Sequence, residues 1–258
     1  MRAAVFHIAF NTFREIVRNK VLYAVIAFAF LLVITSAVFG SVTIGDRVTV
    51  IKDFGLFAVT LSGAIVVSLA GVSLLERELK QKTIYNLLSK SLSRAEFVVG
   101  KFLGLALVSS VMSSLMSLIF ICFTAFFESS FDPLLFDAAF LVVLEMVLLS
   151  AVAIFFSSLV VTTVLSGIFT FITFLVGHSY RVLDYFIVAE DASPITQWLI
   201  KALKFVLPDL SVFNRADALV AGLQTPLDYM LSAILYCLLY SSALVSLSIL
   251  AFQKRDFQ

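Results

Sequence analysis

Long apolar runs alternate with short polar ones along the chain. Residues 21–40, 54–75, 102–127 and 229–253 contain no Asp, Glu, Lys or Arg. Each is long enough to meet the requirement of about 20 apolar residues for a helix that crosses a hydrocarbon core. A fifth run, 138–180, carries one such charge, Glu145. As one helix, at about 1.5 Å per residue, it would be roughly twice as long as a core of about 30 Å. It has to double back, and Ser157, Ser158 and the β-branched stretch 160–164 mark the turn. The pattern predicts an all-α integral membrane protein. Its single transmembrane domain, 1–258, has six transmembrane helices at 21–40, 54–75, 102–127, 135–158, 160–180 and 229–253. A cleaved signal peptide in place of the first span is disfavoured. Its charged leader is long, its apolar run exceeds the usual core of about 7–15 residues, and five more spans follow.

The polar intervals have patterns of their own. In residues 1–20, Phe6, Phe10, Phe13 and Val17 recur at helical spacing, with Arg14, Arg18 and Lys20 away from them. This predicts an amphipathic interfacial helix with its Phe face in lipid and its basic residues toward anionic headgroups. A plain cytoplasmic extension of the first span is the competing assignment. In the segment 76–98, Leu79, Ile84, Leu87 and Leu88 continue an apolar stripe from Leu75. Glu78 and Lys82 form a favourable i, i+4 pair. Ser93-Arg94-Ala95-Glu96 is a capping box, which starts a new helix running into the third span. A short helix held between two spans and exposing Ile84, Tyr85, Leu87 and Leu88 suits docking into a groove on another protein, where a solvated loop would not need them. In the outer segment 181–228, Ser193-Pro194 reads as an N-cap followed by Pro at the first helical position. Ile195, Trp198, Leu199, Ala202, Leu203 and Val206 then form a stripe that ends at Pro208. Thr225-Pro226 reads as the opening of the sixth span. A helix lying on the membrane and a partly re-entrant hairpin are both compatible with this outer segment.

Composition removes other classes. Charged residues make up 14% of the chain, against about 25% in a soluble domain. The net charge of +1 gives no electrostatic case for nucleic acid. The two cysteines, Cys122 and Cys237, lie in apolar runs and form no disulfide framework. Charge does set an orientation. With both termini cytoplasmic, the inner segments hold Arg2, Arg14, Arg18, Lys20, Arg77, Lys80, Lys82, Lys90, Arg94, Lys101, Lys254 and Arg255. Only Arg47, Lys52, Arg181, Lys201, Lys204 and Arg215 fall outside, which satisfies the positive-inside bias.

The order of these features resembles the permease subunits of type-2 ATP-binding-cassette exporters. The shared features are an amphipathic leader, a second span ending in Glu76-Arg77-Glu78, then Lys82-Thr83, Leu87-Leu88-Ser89, Ser93-Arg94 and Gly100-Lys101. The chain departs from that pattern at Lys82, where glycine is usual, and at Ser91-Leu92, where proline is common. Pro208-Asp209-Leu210 with Phe213-Asn214 is similar to the branch that contains the nitrous-oxide-reductase maturation permease. The resemblance implies a dimer of six-span subunits in the cell's inner or plasma membrane. It implies a partner permease, the same chain or a related one, and a separate cytoplasmic ATPase that binds ATP and Mg. The ATPase would engage a coupling helix built around Glu76, Arg77, Glu78, Lys82, Thr83, Leu87, Leu88 and Arg94. Substrate and direction of transport stay open.

Chemistry within the chain is sparse. A phosphate loop needs G-x-x-x-x-G-K-[ST]. The nearest string, 95–102, has Ala95 and Phe102 at two of those positions, so no cofactor is expected in this chain and hydrolysis belongs to a partner. Glu145 is the one acidic residue well inside a span, which makes it a candidate pathway residue. The sequence offers no basic residue at its depth, so bonding to neighbouring Ser or Thr is the simpler expectation. His7 and His178 fall on opposite sides, the cysteines lack ligand spacing, and Met112 with Met116 suits packing, so no metal site is expected. Ser109, Ser110, Ser113, Ser114 and Ser117 favour close helix contact. An intramembrane enzyme would need paired acids, a His cluster or a Ser–Lys pair within the spans. A secondary transporter would show repeats and broken helices. A mechanical membrane subunit using the same ATPase docking is the nearest alternative.

Overall fold

The computed structural model describes residues 2–42, 47–80, 93–128, 132–159, 162–183 and 193–253. Among them the chain is entirely helical. We number the helices α1 (Arg2–Val17), α2 (Lys20–Val42), α3 (Arg47–Lys80), α4 (Arg94–Glu128), α5 (Leu134–Leu159), α6 (Thr163–His178), α7 (Pro194–Val206), α8 (Ala216–Val220) and α9 (Leu227–Gln253), with a 3₁₀ turn at Leu210–Phe213. Four stretches are long and apolar enough to cross a membrane: Val48–Gly71, Arg94–Phe126, Leu134–Leu159 and Leu227–Gln253. These make the chain a multi-pass membrane protein. Two further apolar stretches, Val25–Ser36 in α2 and Val164–His178 in α6, are shorter.

Helix ends follow local chemistry. At the start of α4 the Glu96 amide donates to Ser93 Oγ at 3.2 Å, and the Ser93 amide donates to Glu96 Oε2 at 3.0 Å. Both halves of the expected capping box are therefore made. Ser93 and Glu96 are where the sequence places a new helix. Ser193 caps α7 by accepting from the Thr196 amide, and Pro194 follows. The apolar run 138–180 is broken as expected, with α5 ending at Leu159 and α6 beginning at Thr163.

α5 is the centre of the bundle. Leu141, Met146, Leu148, Leu149, Ala151, Ala153 and Ile154 have no exposed surface and point in all directions around the helix, the signature of a helix buried on every side. α3, α4, α6 and α9 surround it, and α2 packs outside α3. Ser109 of α4 meets Ser150 of α5 with 3.0 Å between hydroxyl oxygens, and Ser113 and Ser117 are buried on α4 as well. Small hydroxyl side chains let two helices approach where lipid tails give no net hydrophobic drive.

An ion pair joins α3 to the turn before α5. Lys52 Nζ lies 2.8 Å from Asp132 Oδ2, and Asp132 Oδ1 accepts from the Leu134 amide. Partial burial pushes the Asp132 carboxyl up. The hydrogen bond and charge of Lys52, with the Leu134 amide, outweigh that and hold it below its ordinary value. A carboxyl held low stabilises the fold above its unfolded pKa, about 3.9, and loses that contribution as pH falls through the folded value. Thermal unfolding of the native chain should therefore steepen its loss of stability below about pH 4. Asp132→Asn should lower stability near neutral pH and flatten that acid limb.

Candidate functional site

The first half of α3, the first half of α5, the end of α6 and the segment around the 3₁₀ turn meet at one end of the bundle. They enclose a cavity of about 350 Å³. α3 supplies Thr49, Asp53, Phe54, Phe57 and Thr60; α5 supplies Glu145; α6 supplies His178; Phe213, Asn214 and Arg215 close one wall. Such a pocket, with aromatic walls and a few converging polar groups, is the usual form of a small-ligand site.

Two side chains dominate it. The Glu145 carboxylate is 1% exposed, and its Oε1 lies 3.1 Å from Nδ1 of His178, which is 20% exposed. The two atoms are close enough for an ion pair, and neither has another hydrogen-bond partner among the described residues. The expectation that Glu145 has no basic neighbour and bonds to Ser or Thr is corrected here. The folding back of α6 onto α5 carries His178, from the far end of the same apolar run, to its side. Phe174, one turn earlier on α6, packs against the imidazole with 5.0 Å between ring centroids. Arg215 stands in the same wall with its guanidinium 4.5 Å from the centroid of the Tyr229 ring. Its Nε is buried and has no hydrogen-bond partner among the described residues.

The wall is pinned by tyrosines that sequence periodicity does not reveal. The Tyr180 hydroxyl shares its one proton between the Lys204 and Leu207 carbonyls, Tyr240 donates to the Val206 carbonyl, and Tyr236 accepts from the Asp209 amide. The Tyr229 hydroxyl donates to the Val212 carbonyl. α7 is thus fixed at its carboxyl end. Its apolar stripe stays uncovered, with Trp198 68% exposed and Ile195 and Leu199 exposed beside it.

The opposite end of the bundle holds the described ends of the segment that the sequence marks for docking, residues 76–80 and 93–98. Glu76, Arg77 and Glu78 continue the helical backbone of α3, which ends at Lys80. Lys82, Thr83, Leu87 and Leu88 lie outside the described residues. Arg94 is placed at the first turn of α4, and its guanidinium donates to the Gln253 carbonyl at 3.0 Å and more weakly to Phe252 at 3.4 Å. It therefore satisfies terminal carbonyls of α9, the usual role of a cation at a helix carboxyl end. Phe97 stacks on Phe252 at the same junction.

α1 lies along the first half of α4. Gly100 and Gly104, one helical turn apart, open the surface of α4 to it. A Cβ at Gly104 would sit 2.6 Å from the Thr12 Cβ and 2.7 Å from the Ala9 carbonyl oxygen. The Phe stripe of α1 is divided: Phe6 and Phe10 are 67% and 51% exposed, whereas Phe13 and Val17 lean on the core. Thr12 and Ile16 form the buried face. Lys101 is buried beneath this contact, 4.0 Å from Glu15 and 5.7 Å from the Phe97 ring centroid.

No protein-family model matches this chain, and no curated protein matches it.

Proposed function

We propose that the chain is the membrane permease subunit of an ATP-driven exporter. In this reading it works as a dimer, with a second copy or a related chain, and is driven by a separate cytoplasmic ATPase that carries ATP and Mg. α2 and α6 complete six spans with the four long helices, both termini lie in the cytoplasm, and α1 is an interfacial helix. The observation that carries the reading is a convergence at one end of the bundle. α1 seats on Gly100 and Gly104, α4 restarts at the Ser93 cap, and Arg94 ties α4 to the last carbonyls of α9. Ser93 and Arg94 belong to the segment 76–98 and Gly100 and Gly104 follow it directly on α4, so in this reading a push passed along the chain into α4 also acts on α1 and α9. A motor that changes shape with ATP would bias the inward and outward states of such a bundle. The polar cavity at the other end favours a transport pathway through Glu145 over the purely mechanical subunit, which needs no such site.

Co-elution tests this. The chain should elute from detergent with its cognate ATPase, and Leu87→Asp with Leu88→Asp should reduce the complex at least ten-fold. The variant should keep the native thermal unfolding midpoint. A folded native chain that retains no ATPase would overturn the proposal.

A further inference from the structure

The carboxyl end of α7 is tied to the middle of α9. The Val206 carbonyl accepts from Tyr240, and the Asp209 amide donates to Tyr236. Tyr240 is about 20 Å along the axis from Leu227, the first residue of α9. A tyrosine on a helix leans back over the preceding turn, by about 5 Å, so Val206 lies about 15 Å from the amino end of α9. α9 is about 40 Å long, against a hydrocarbon core of about 30 Å. Even with all of that surplus at its amino end, Val206 lies inside the edge of the core. α6 gives the same level independently: it ends at His178 beside Glu145, and Tyr180 just beyond bonds the Lys204 and Leu207 carbonyls. The backbone there is satisfied as that depth requires, because irregular chain is tolerated within a membrane only where protein covers it. Tyrosine hydroxyls serve the Lys204, Val206, Leu207 and Val212 carbonyls and the Asp209 amide, and Pro208, Leu210 and Phe213 are buried.

We propose that α7 is re-entrant and that its uncovered apolar stripe is a lipid-binding surface, seated in the leaflet on the amino-terminal side of α9. The occupant is lipid because the stripe continues a surface that lipid already covers. Phe205 and Val206 are exposed at the pinned end, at the level of the exposed Leu235 and Leu238 on α9. A helix lying flat on the membrane would hold both its ends at the surface, which the Val206 contact does not allow. Lys201 is exposed and needs water or headgroups, so α7 rises from Val206 toward the surface. That brings Trp198 to the interfacial zone, where indole is favoured. Lys204, nearer the pinned end, rests its ammonium 4.8 Å from the centroid of the Tyr180 ring. The chain beyond α7 carries Phe213, Asn214 and Arg215 into the cavity wall, so one continuous segment meets lipid on one side and the cavity on the other. The inference goes beyond the exporter proposal, because it concerns the lipid-facing surface and needs no motor.

Trp198 is the single tryptophan of the chain, so its fluorescence reports α7 alone. The test is quenching in the purified full chain, reconstituted into phosphatidylcholine vesicles without ATP or any ATPase. The probes are phosphatidylcholines brominated near the headgroup end or near the far end of the acyl chain, and iodide present on both sides of the membrane. Lipid brominated near the headgroup should quench Trp198 at least two-fold, and iodide should quench it several-fold less than free tryptophan. Trp198→Phe with Phe205→Trp moves the one indole to the pinned end. Phe205 is 91% exposed, so the exchange removes no core contact. The moved indole should be quenched more by the deep bromines than by the shallow ones. Quenching of Trp198 by iodide as strong as that of free tryptophan would place α7 in water and overturn the proposal. Quenching by neither iodide nor either lipid would mean that protein, such as a second copy, covers the stripe, and would overturn it too. An indole at 205 no deeper than the one at 198 would make α7 a flat surface helix. The Trp198 measurement uses the native chain, so it decides the occupant even if the variant does not fold. Because no ATPase is present, failure here leaves the motor proposal standing, and failure to find an ATPase leaves this one standing.

Discussion

His178→Leu is expected to destabilise the chain by about 3–5 kcal/mol, the range found when one partner of a buried pair is removed. The reason is the surroundings of Glu145. Its carboxylate is 1% exposed, and His178 at 3.1 Å is its charge partner. Leucine leaves the carboxylate in a low-dielectric site with nothing to offset its desolvation. Changing both partners removes the problem together with the pair. Glu145→Leu with His178→Leu should recover most of the loss, since an apolar replacement of a buried pair is often neutral or stabilising. Thermal unfolding in detergent, run as a double-mutant cycle, measures the difference. If the double variant were as unstable as the sum of the single ones, the two residues would not be acting as a pair.

Gly104→Leu is expected to lift α1 off the bundle. The first atom added, a Cβ, already comes within 2.7 Å of a backbone oxygen at Ala9. A backbone oxygen cannot rotate away, so the helix itself has to move. Overpacking of this kind costs about 1–3 kcal/mol where a core can adjust. Here the adjustment also uncovers Thr12 and Ile16 and the buried Lys101. Trypsin should then cleave at Arg14 and Arg18 at least several-fold faster than in the native chain, while the remaining spans stay protected. Cleavage at the native rate would mean that α1 is not held by α4.

Much of this architecture is legible along the chain because it depends on neighbouring residues. The Ser93–Glu96 box and the Ser193-Pro194 start are local hydrogen-bond chemistry, and each begins a helix at the expected residue. The four uncharged runs correspond to helices because an apolar run of that length has no other way to satisfy its backbone in lipid. What escapes the sequence is contact across the bundle. Glu145 and His178 lie in one apolar run, but only the rotation of α6 against α5 decides that they meet. The tyrosines that pin the wall beside Arg215 come from two different elements, and nothing in their spacing names their carbonyl partners. α1 is instructive because the signal was present. Gly100 and Gly104 have the small-residue spacing that brings helices together, yet the Phe stripe of α1 points to lipid as its only partner. The structure gives α1 both: Thr12 and Ile16 to α4, Phe6 and Phe10 to the outside.

Arg94 illustrates how one residue can serve two readings. The resemblance places it among the motor-coupling residues, and the structure engages it with the end of α9. A residue that joins the start of α4 to the end of α9 lies on the route by which a push at 76–98 would reach the last helix. Its structural contact and the proposed coupling are therefore compatible on geometric grounds.

The most direct measurement is ATP hydrolysis by the cognate ATPase, reconstituted with the full chain in nanodiscs. The account predicts that the native chain raises the hydrolysis rate several-fold over the ATPase alone. Leu87→Asp with Leu88→Asp should return it to the rate of the ATPase alone without unfolding the chain. A hydrolysis rate that is the same with and without the native, folded chain would contradict the claim that this protein is the membrane half of an ATP-driven machine.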